Sequence, residues 1–329
     1  MFVSGKRLKN VWERRFSMMY TRFYVILLSS LLLLGGCAAQ ETTSTPVVKT
    51  VDVVNVAPTT ISPETTLLAT LANGLQLFAN FSKEQQLFTY DITTGVKEVV
   101  YTPTIPMRHV LVHPSGETLL IVSAKSASVA HVALYTASME RLYETDVVSY
   151  EVRATFDTVN SEQFSITAFT QSYDATVYTY VNKQWQPVTT SYPFVHMHDG
   201  ELYTLIDGAV RNEQTTELIA QNTAHVLFSA AAVYYVTNDD ATKLMTLDGA
   251  IQFLSPIVSL QEQFGHVYAW IREGTQYQLI QLQDMTPLLT ADAPVPFFID
   301  PEQRYIIYGE QYEWLQQQQK QPVQWLTIN

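Results

Sequence analysis

The chain is 329 residues long and carries 31 Asp+Glu against 19 Lys+Arg, a formal net charge of −12. That acidity argues against nucleic acid as a partner and against adsorption of the folded body to anionic headgroups, since both would repel it. One cysteine in the whole chain precludes an internal disulfide, so stability has to come from an ordinary hydrophobic core, for which the length is ample.

In chain order, the first element is an export signal. Lys6, Arg7, Lys9, Arg14, Arg15 and Arg22 precede an apolar run from Phe23 to Leu34, and Gly35-Gly36-Cys37 follows. Basic residues, about a dozen apolar ones, small residues and a cysteine are the layout of an exported precursor. The run is short for a membrane span, which needs about 20 residues. A plain signal peptide would leave Cys37 without a purpose. The junction Leu34-Gly35-Gly36-Cys37 resembles a bacterial lipobox. The resemblance implies diacylglycerol on the Cys37 sulfur, cleavage before Cys37, and a mature protein anchored by lipid on the extracytoplasmic face of the cell membrane. Met18 and Met19 are alternative starts to Met1, and either would shorten the basic region. Removal of residues 1–36 takes away six of the Lys+Arg and one Asp+Glu, which leaves 13 against 30 and a net charge of −17. The lipid must then do the anchoring.

Residues 37–62 are expected to form the lipidated cysteine and a flexible tether, being rich in Ala, Thr, Ser, Pro and Val with few charges. Lys49–Val56 inside this stretch has β propensity and could join a sheet edge.

Residues 63–329 are expected to form one all-β body. Runs of five to eight residues rich in Val, Ile, Thr, Tyr and Phe alternate with turn signals. Seven glycines follow a polar residue, as in Asn73-Gly74, Ser115-Gly116, Asp199-Gly200 and Asp207-Gly208. Such dipeptides suit hairpin turns because glycine accepts positive φ. Only Gln311–Lys320 offers a short helix. Similar strands start at Leu75, Thr118, Gln163, Glu201, Ala232, His266 and Arg304, with spacings of 43, 45, 38, 31, 34 and 38 residues. About 40 residues per four-stranded unit is the period of a β-propeller. This count gives seven blades, the shortest being Phe194–Ile219. Ring closure requires an N-terminal strand, Lys49–Val56 or else Thr66–Leu71, to lie beside Val323–Ile328.

Two stretches, Val110–Ile121 around His113-Pro114-Ser115-Gly116 and Phe297–Tyr308 around Asp300-Pro301-Glu302, resemble the strand–turn–strand unit of TolB-like propellers. With Val148–Phe156 and Phe164–Phe169, the body from 63 to 329 resembles the YqgU-like lipoproteins. That resemblance implies six blades rather than seven. It implies no known function, and so it supplies no catalytic residues.

Four histidines are the candidate metal ligands. His196 and His198 flank Met197 and should share one strand face, with Asp199 next; His109 and His113 share parity in the same way. Each pair lacks a third ligand in sequence, and a half-solvated strand end is the better reading, so no metal site is expected. Asp239-Asp240 has no calcium-loop spacing and reads as a turn. No nucleophile elbow and no phosphate loop is present. No cofactor is expected. Two functions remain. The first is a membrane-anchored binding or protein-interaction module for an envelope protein, peptide or glycan. The second is an envelope-acting hydrolase or lyase with its site at the propeller funnel, which would require the histidines and strand-end acids to converge.

Overall fold

The computed structural model describes residues 53–55, 65–82, 85–303, 305–308 and 324–327. The signal segment, Cys37 and the helix expected at Gln311–Lys320 lie outside these residues. The described residues form seven four-stranded antiparallel sheets and no helix. Strand β1 (Val53–Asn55) comes first. Blade 1 is β2 (Thr65–Thr70), β3 (Gln76–Asn80), β4 (Gln86–Tyr90) and β5 (Lys97–Tyr101). Blade 2 is β6 (Met107–Val112), β7 (Thr118–Ser126), β8 (Val129–Thr136) and β9 (Arg141–Val148). Blade 3 is β10 (Glu151–Phe156), β11 (Phe164–Phe169), β12 (Ala175–Val181) and β13 (Gln184–Val188). Blade 4 is β14 (Val195–His198), β15 (Glu201–Ile206), β16 (Ala209–Asn212) and β17 (Leu218–Ala220). Blade 5 is β18 (Thr223–Phe228), β19 (Val233–Thr237), β20 (Lys243–Met245) and β21 (Ala250–Gln252). Blade 6 is β22 (Ile257–Gln263), β23 (His266–Glu273), β24 (Gln276–Gln281) and β25 (Thr286–Ala291). Blade 7 is β26 (Phe297–Ile299), β27 (Tyr305–Tyr308), β28 (Gln324–Thr327) and, on its outer edge, β1.

The seven segments that recur in the sequence are the second strands of the seven blades. Their regularity has a physical cause. A second strand is paired on both sides and packed on both faces, so its burial runs on from residue to residue instead of alternating. All six residues of β11 are buried, as are the first six of β7. Each such Leu, Ile or Phe is worth about 1.5–3 kcal/mol relative to exposure. The shortest unit, blade 4, is a complete sheet of its own.

Closure of the ring follows the sequence expectation. β1 pairs antiparallel with β28, with Val53 opposite Leu326, Val54 opposite Trp325 and Asn55 opposite Gln324. β1, which lies within the stretch expected as a tether, is thus a strand of blade 7 and covers the outer edge of β28, which would otherwise be unpaired.

Hydrophobic seams run between neighbouring blades. Leu120, Val122 and Leu134 of blade 2 pack on Phe164, Ile166 and Tyr180 of blade 3. Val236 and Leu244 of blade 5 pack on Val267 and Ala269 of blade 6. Aromatic residues fill the seams: Tyr143 of β9 stacks on Tyr180 of β12 at 4.1 Å. The first strands are innermost and touch around the ring, β26 against β2 included.

Candidate functional site

The direction of the first strands gives the ring two ends. At one end lie the hairpins that join first to second strands. At the other lie the links that bring the chain into each new blade, together with the hairpins that join second to third strands.

The first end is tied together by hydrogen bonds. Asp157, at the end of β10, is fully buried. Its Oδ1 accepts the N–H groups of Val159 at 2.8 Å, Asn160 at 3.1 Å and Asp199 at 3.2 Å, and its Oδ2 accepts that of Gly200. Two of these donors belong to its own turn. The other two belong to the β14–β15 turn of blade 4. That turn needs positive φ at both residues, and Asp199 (φ 50) with Gly200 (φ 76) supplies it. The backbone oxygen of Asp157 meets His113 Nε2 of blade 2 at 2.8 Å. A carbonyl only accepts, so Nε2 carries the proton, and Nδ1 accepts the Ser115 N–H at 3.1 Å. Burial holds the His113 pKa below its ordinary value. His113 is thus a neutral bolt between blades 2 and 3. His198 joins the same turn through Nδ1, which is 2.7 Å from Thr158 Oγ1.

Two contacts close this end further. The Phe264 N–H, in the β22–β23 turn of blade 6, donates to the Pro114 carbonyl of blade 2 at 2.9 Å, across the ring. Gly116 (φ +70) lies against blade 1, where a Cβ would come within 2.6 Å of Ala72 N and 2.9 Å of the Phe264 ring. Only glycine fits there.

The structure separates the histidine pairs differently from their parity. His196 and His198 do share a face, but they turn onto aromatic rings. His196 stacks on Phe228 at 5.3 Å, and His198 lies 6.1 Å from both Phe228 and Tyr203. Protein crowding lowers both imidazole pKa values, even though His196 faces the solvent along the inner wall. Tyr203 donates to Glu201 Oε2 at 2.9 Å, and its pKa is pushed up to about 12, first by burial and then by that carboxylate. His109 lies exposed on β6 toward the other end, whereas His113 is in the turn beyond it. The two are not brought together. Among the described residues no group of three or more His, Cys, Asp or Glu is placed to hold a metal ion. At Asp240 a carboxylate oxygen takes the Thr242 N–H at 3.0 Å, an ordinary turn.

The second end is built of other materials. Arg108 and Arg153 stand exposed on the innermost strands β6 and β10. The Arg108 guanidinium donates to the Tyr150 carbonyl at 3.4 Å. The Arg153 guanidinium lies 4.6 Å above the ring of Phe194 and reaches Glu151 Oε1 at 3.4 Å. Phe194 contacts Tyr192 at 5.2 Å and the buried Phe169 at 5.7 Å. Tyr150 is 54% exposed, Val148 77% and Phe194 38%. Exposed arginine and aromatic side chains therefore frame this mouth over blades 2 to 4. Sequence reading missed it. Tyr150, Tyr192 and Phe194 fall in links between strands, where aromatic residues carry no period, and Asp157 resembles any acid in a turn.

Residues 91–303, well over half of the chain, match the family described as the YqgU-like 6-bladed beta propeller domain. The chain is 24% identical to the uncharacterized lipoprotein YqgU of Bacillus subtilis (strain 168), over 69% of this chain and 74% of that one. The crystal structure of the uncharacterized protein lmo1340 from Listeria monocytogenes EGD-e superposes with a TM-score of 0.63 at 11% identity. The superposition covers 79% of this chain and 93% of that one, a likeness of fold alone. The family description counts six blades, whereas seven four-stranded sheets are found here. The matched span runs from the end of blade 1 into the start of blade 7, so the strands that close the ring lie outside it. The chain belongs to the YqgU-like β-propeller family.

Proposed function

We propose that this protein is a lipid-anchored, extracytoplasmic interaction module that docks a partner protein on the mouth framed by blades 2 to 4. One observation carries the reading: Arg108, Arg153, Tyr150 and Phe194 form one exposed patch on the inner strands and their links. Arginine and aromatic residues are the side chains that dominate binding energy at protein interfaces. Exposed apolar patches rimmed by polar groups mark such surfaces. The two arginines stand against Glu151 in a strongly acidic body, which favours a partner with acidic groups beside an apolar anchor. The similarity to a lipoprotein supports anchoring through Cys37.

The hydrolase or lyase reading has less support. Asp157, which adjoins both His113 and His198, has its carboxylate oxygens occupied by four backbone N–H groups.

The test is cross-linked affinity capture of the acylated protein from membranes, with mass spectrometry, beside a double variant Arg153→Ala/Phe194→Ala. A partner held by the parent and lost by the variant is the expected result. Equal recovery by both would remove the mouth from the interaction. A Cys37→Ser chain that still matures and sediments with membranes would remove the lipid anchor.

A further inference from the structure

We propose that the sealed end carries a second binding site, a cleft between blades 3 and 4 shaped for a neutral saccharide. The cleft has a volume of about 440 Å³ and is formed by three turns: β10–β11, β12–β13 and β14–β15. That size lies within the usual range for small-ligand sites. Its floor is Asp157, and the clamp described above fixes two of the three turns before any ligand arrives. The third turn is held at positive φ by Asn182 (φ 52) and Lys183 (φ 63).

The lining decides the ligand class. Among the described residues the side-chain amides of Gln163 and Asn182 and the carboxylate of Asp199 make no hydrogen bond, and all three line the cleft. Asn160 uses its carbonyl oxygen on the Glu162 N–H, which leaves its NH₂ group available. Two amides that donate and accept, one further donor and one carboxylate that accepts match vicinal hydroxyl groups, each of which is both donor and acceptor. Lys183 stands exposed on the β12–β13 turn but outside the lining, which holds no lysine or arginine, so an anion has no counter-charge within the cleft. No aromatic ring lines it either, so a nucleobase has nothing to stack on. The oxygens of Asp157 are occupied, so a cation would find Asp199 alone. Val159 and Val181 offer an apolar wall to the C–H face of a sugar ring.

The experiment uses the full acylated chain in a sugar-free detergent. Saturation-transfer NMR and calorimetric titration are run with glucose, N-acetylglucosamine, maltose and chitobiose, and with glucose 6-phosphate as the charged comparison. At least one neutral saccharide is expected to bind, and glucose 6-phosphate more weakly. Gln163→Ala and Asn182→Gly should each weaken that binding roughly tenfold, the loss of one good polar contact. Glycine at 182 keeps the positive φ of the turn, so the variant retains the fold, and its melting curve checks this. Arg153→Ala/Phe194→Ala should leave saccharide binding unchanged, which separates this site from the mouth. No binding of any of the four sugars, equal binding by both cleft variants, or tighter binding of glucose 6-phosphate would each overturn the proposal.

Discussion

The two ends of the ring are built of different residues, spent in opposite ways. At the sealed end, the polar atoms of His113 and Asp157 are taken up by the fold, matched to backbone groups of their own turns and of neighbouring blades. At the mouth, Arg108, Arg153, Tyr150 and Phe194 are only partly satisfied and remain exposed. Buried polar groups must find partners or destabilise the chain, whereas exposed ones are free to serve a ligand. Residue type alone therefore does not mark function in this protein. A histidine near an aspartate is a structural tie here, and an arginine on an aromatic ring is the better functional candidate.

Four measurements would break or sharpen that contrast. The largest effect is expected from deletion of residues 322–329. This removes β28, which joins β27 to β1 and closes the ring. In a cooperative array the loss should lower the thermal midpoint by many degrees. A midpoint within a degree or two of the parent would place closure elsewhere.

Next comes Asp157→Ala. It deprives four backbone N–H groups of their acceptor. With about 1–3 kcal/mol for each donor that stays buried, and some relief by water, the loss should be about 2–4 kcal/mol in urea unfolding. An unchanged midpoint would mean that the clamp does not hold the blades.

The third effect is pH dependence, and two groups pull in opposite directions. Glu262 of β22 is buried, accepts the Ala230 N–H at 3.2 Å, and has its pKa raised to about 7 by burial. Its folded pKa lies above the unfolded value near 4.5, so its contribution is fully present below pH 4.5 and is lost as pH rises through 7. Glu262→Gln should thus be more stable than the parent at pH 8, by about 2–3 kcal/mol, with the gap gone by about pH 5. His113 has the opposite sign. Its folded pKa is depressed, so its stabilisation is present above the unfolded value of 6.5 and fades as pH falls below it. His113→Asn should flatten the acid side of the stability curve. A gap that does not change with pH in Glu262→Gln would show that this carboxyl keeps an ordinary pKa.

The smallest effect on stability is expected at the mouth. Phe194→Ala removes a half-exposed ring and one exposed cation–π contact, worth about 0.5–1 kcal/mol. A loss of several kcal/mol would make Phe194 a core residue and remove the distinction between the two ends.

The sequence by itself determined the blades. β7 announces itself as a continuous apolar run because second strands are buried on both faces, and glycines at 74, 95, 116, 200, 208 and 274 adopt the positive φ that their dipeptides require. Of the seven turn glycines only Gly249 does not. The N-terminal closing strand was legible too, as β propensity within an otherwise polar stretch. The tertiary structure alone decided what the polar residues do. His113 meets Asp157 across 44 positions, Asp157 meets Gly200 across 43, and Phe264 meets Pro114 across the whole ring. Local pattern encodes burial, because burial follows from strand position within a blade. It does not encode which turns face one another once seven blades close, and both the clamp at one end and the cleft and mouth depend on that closure.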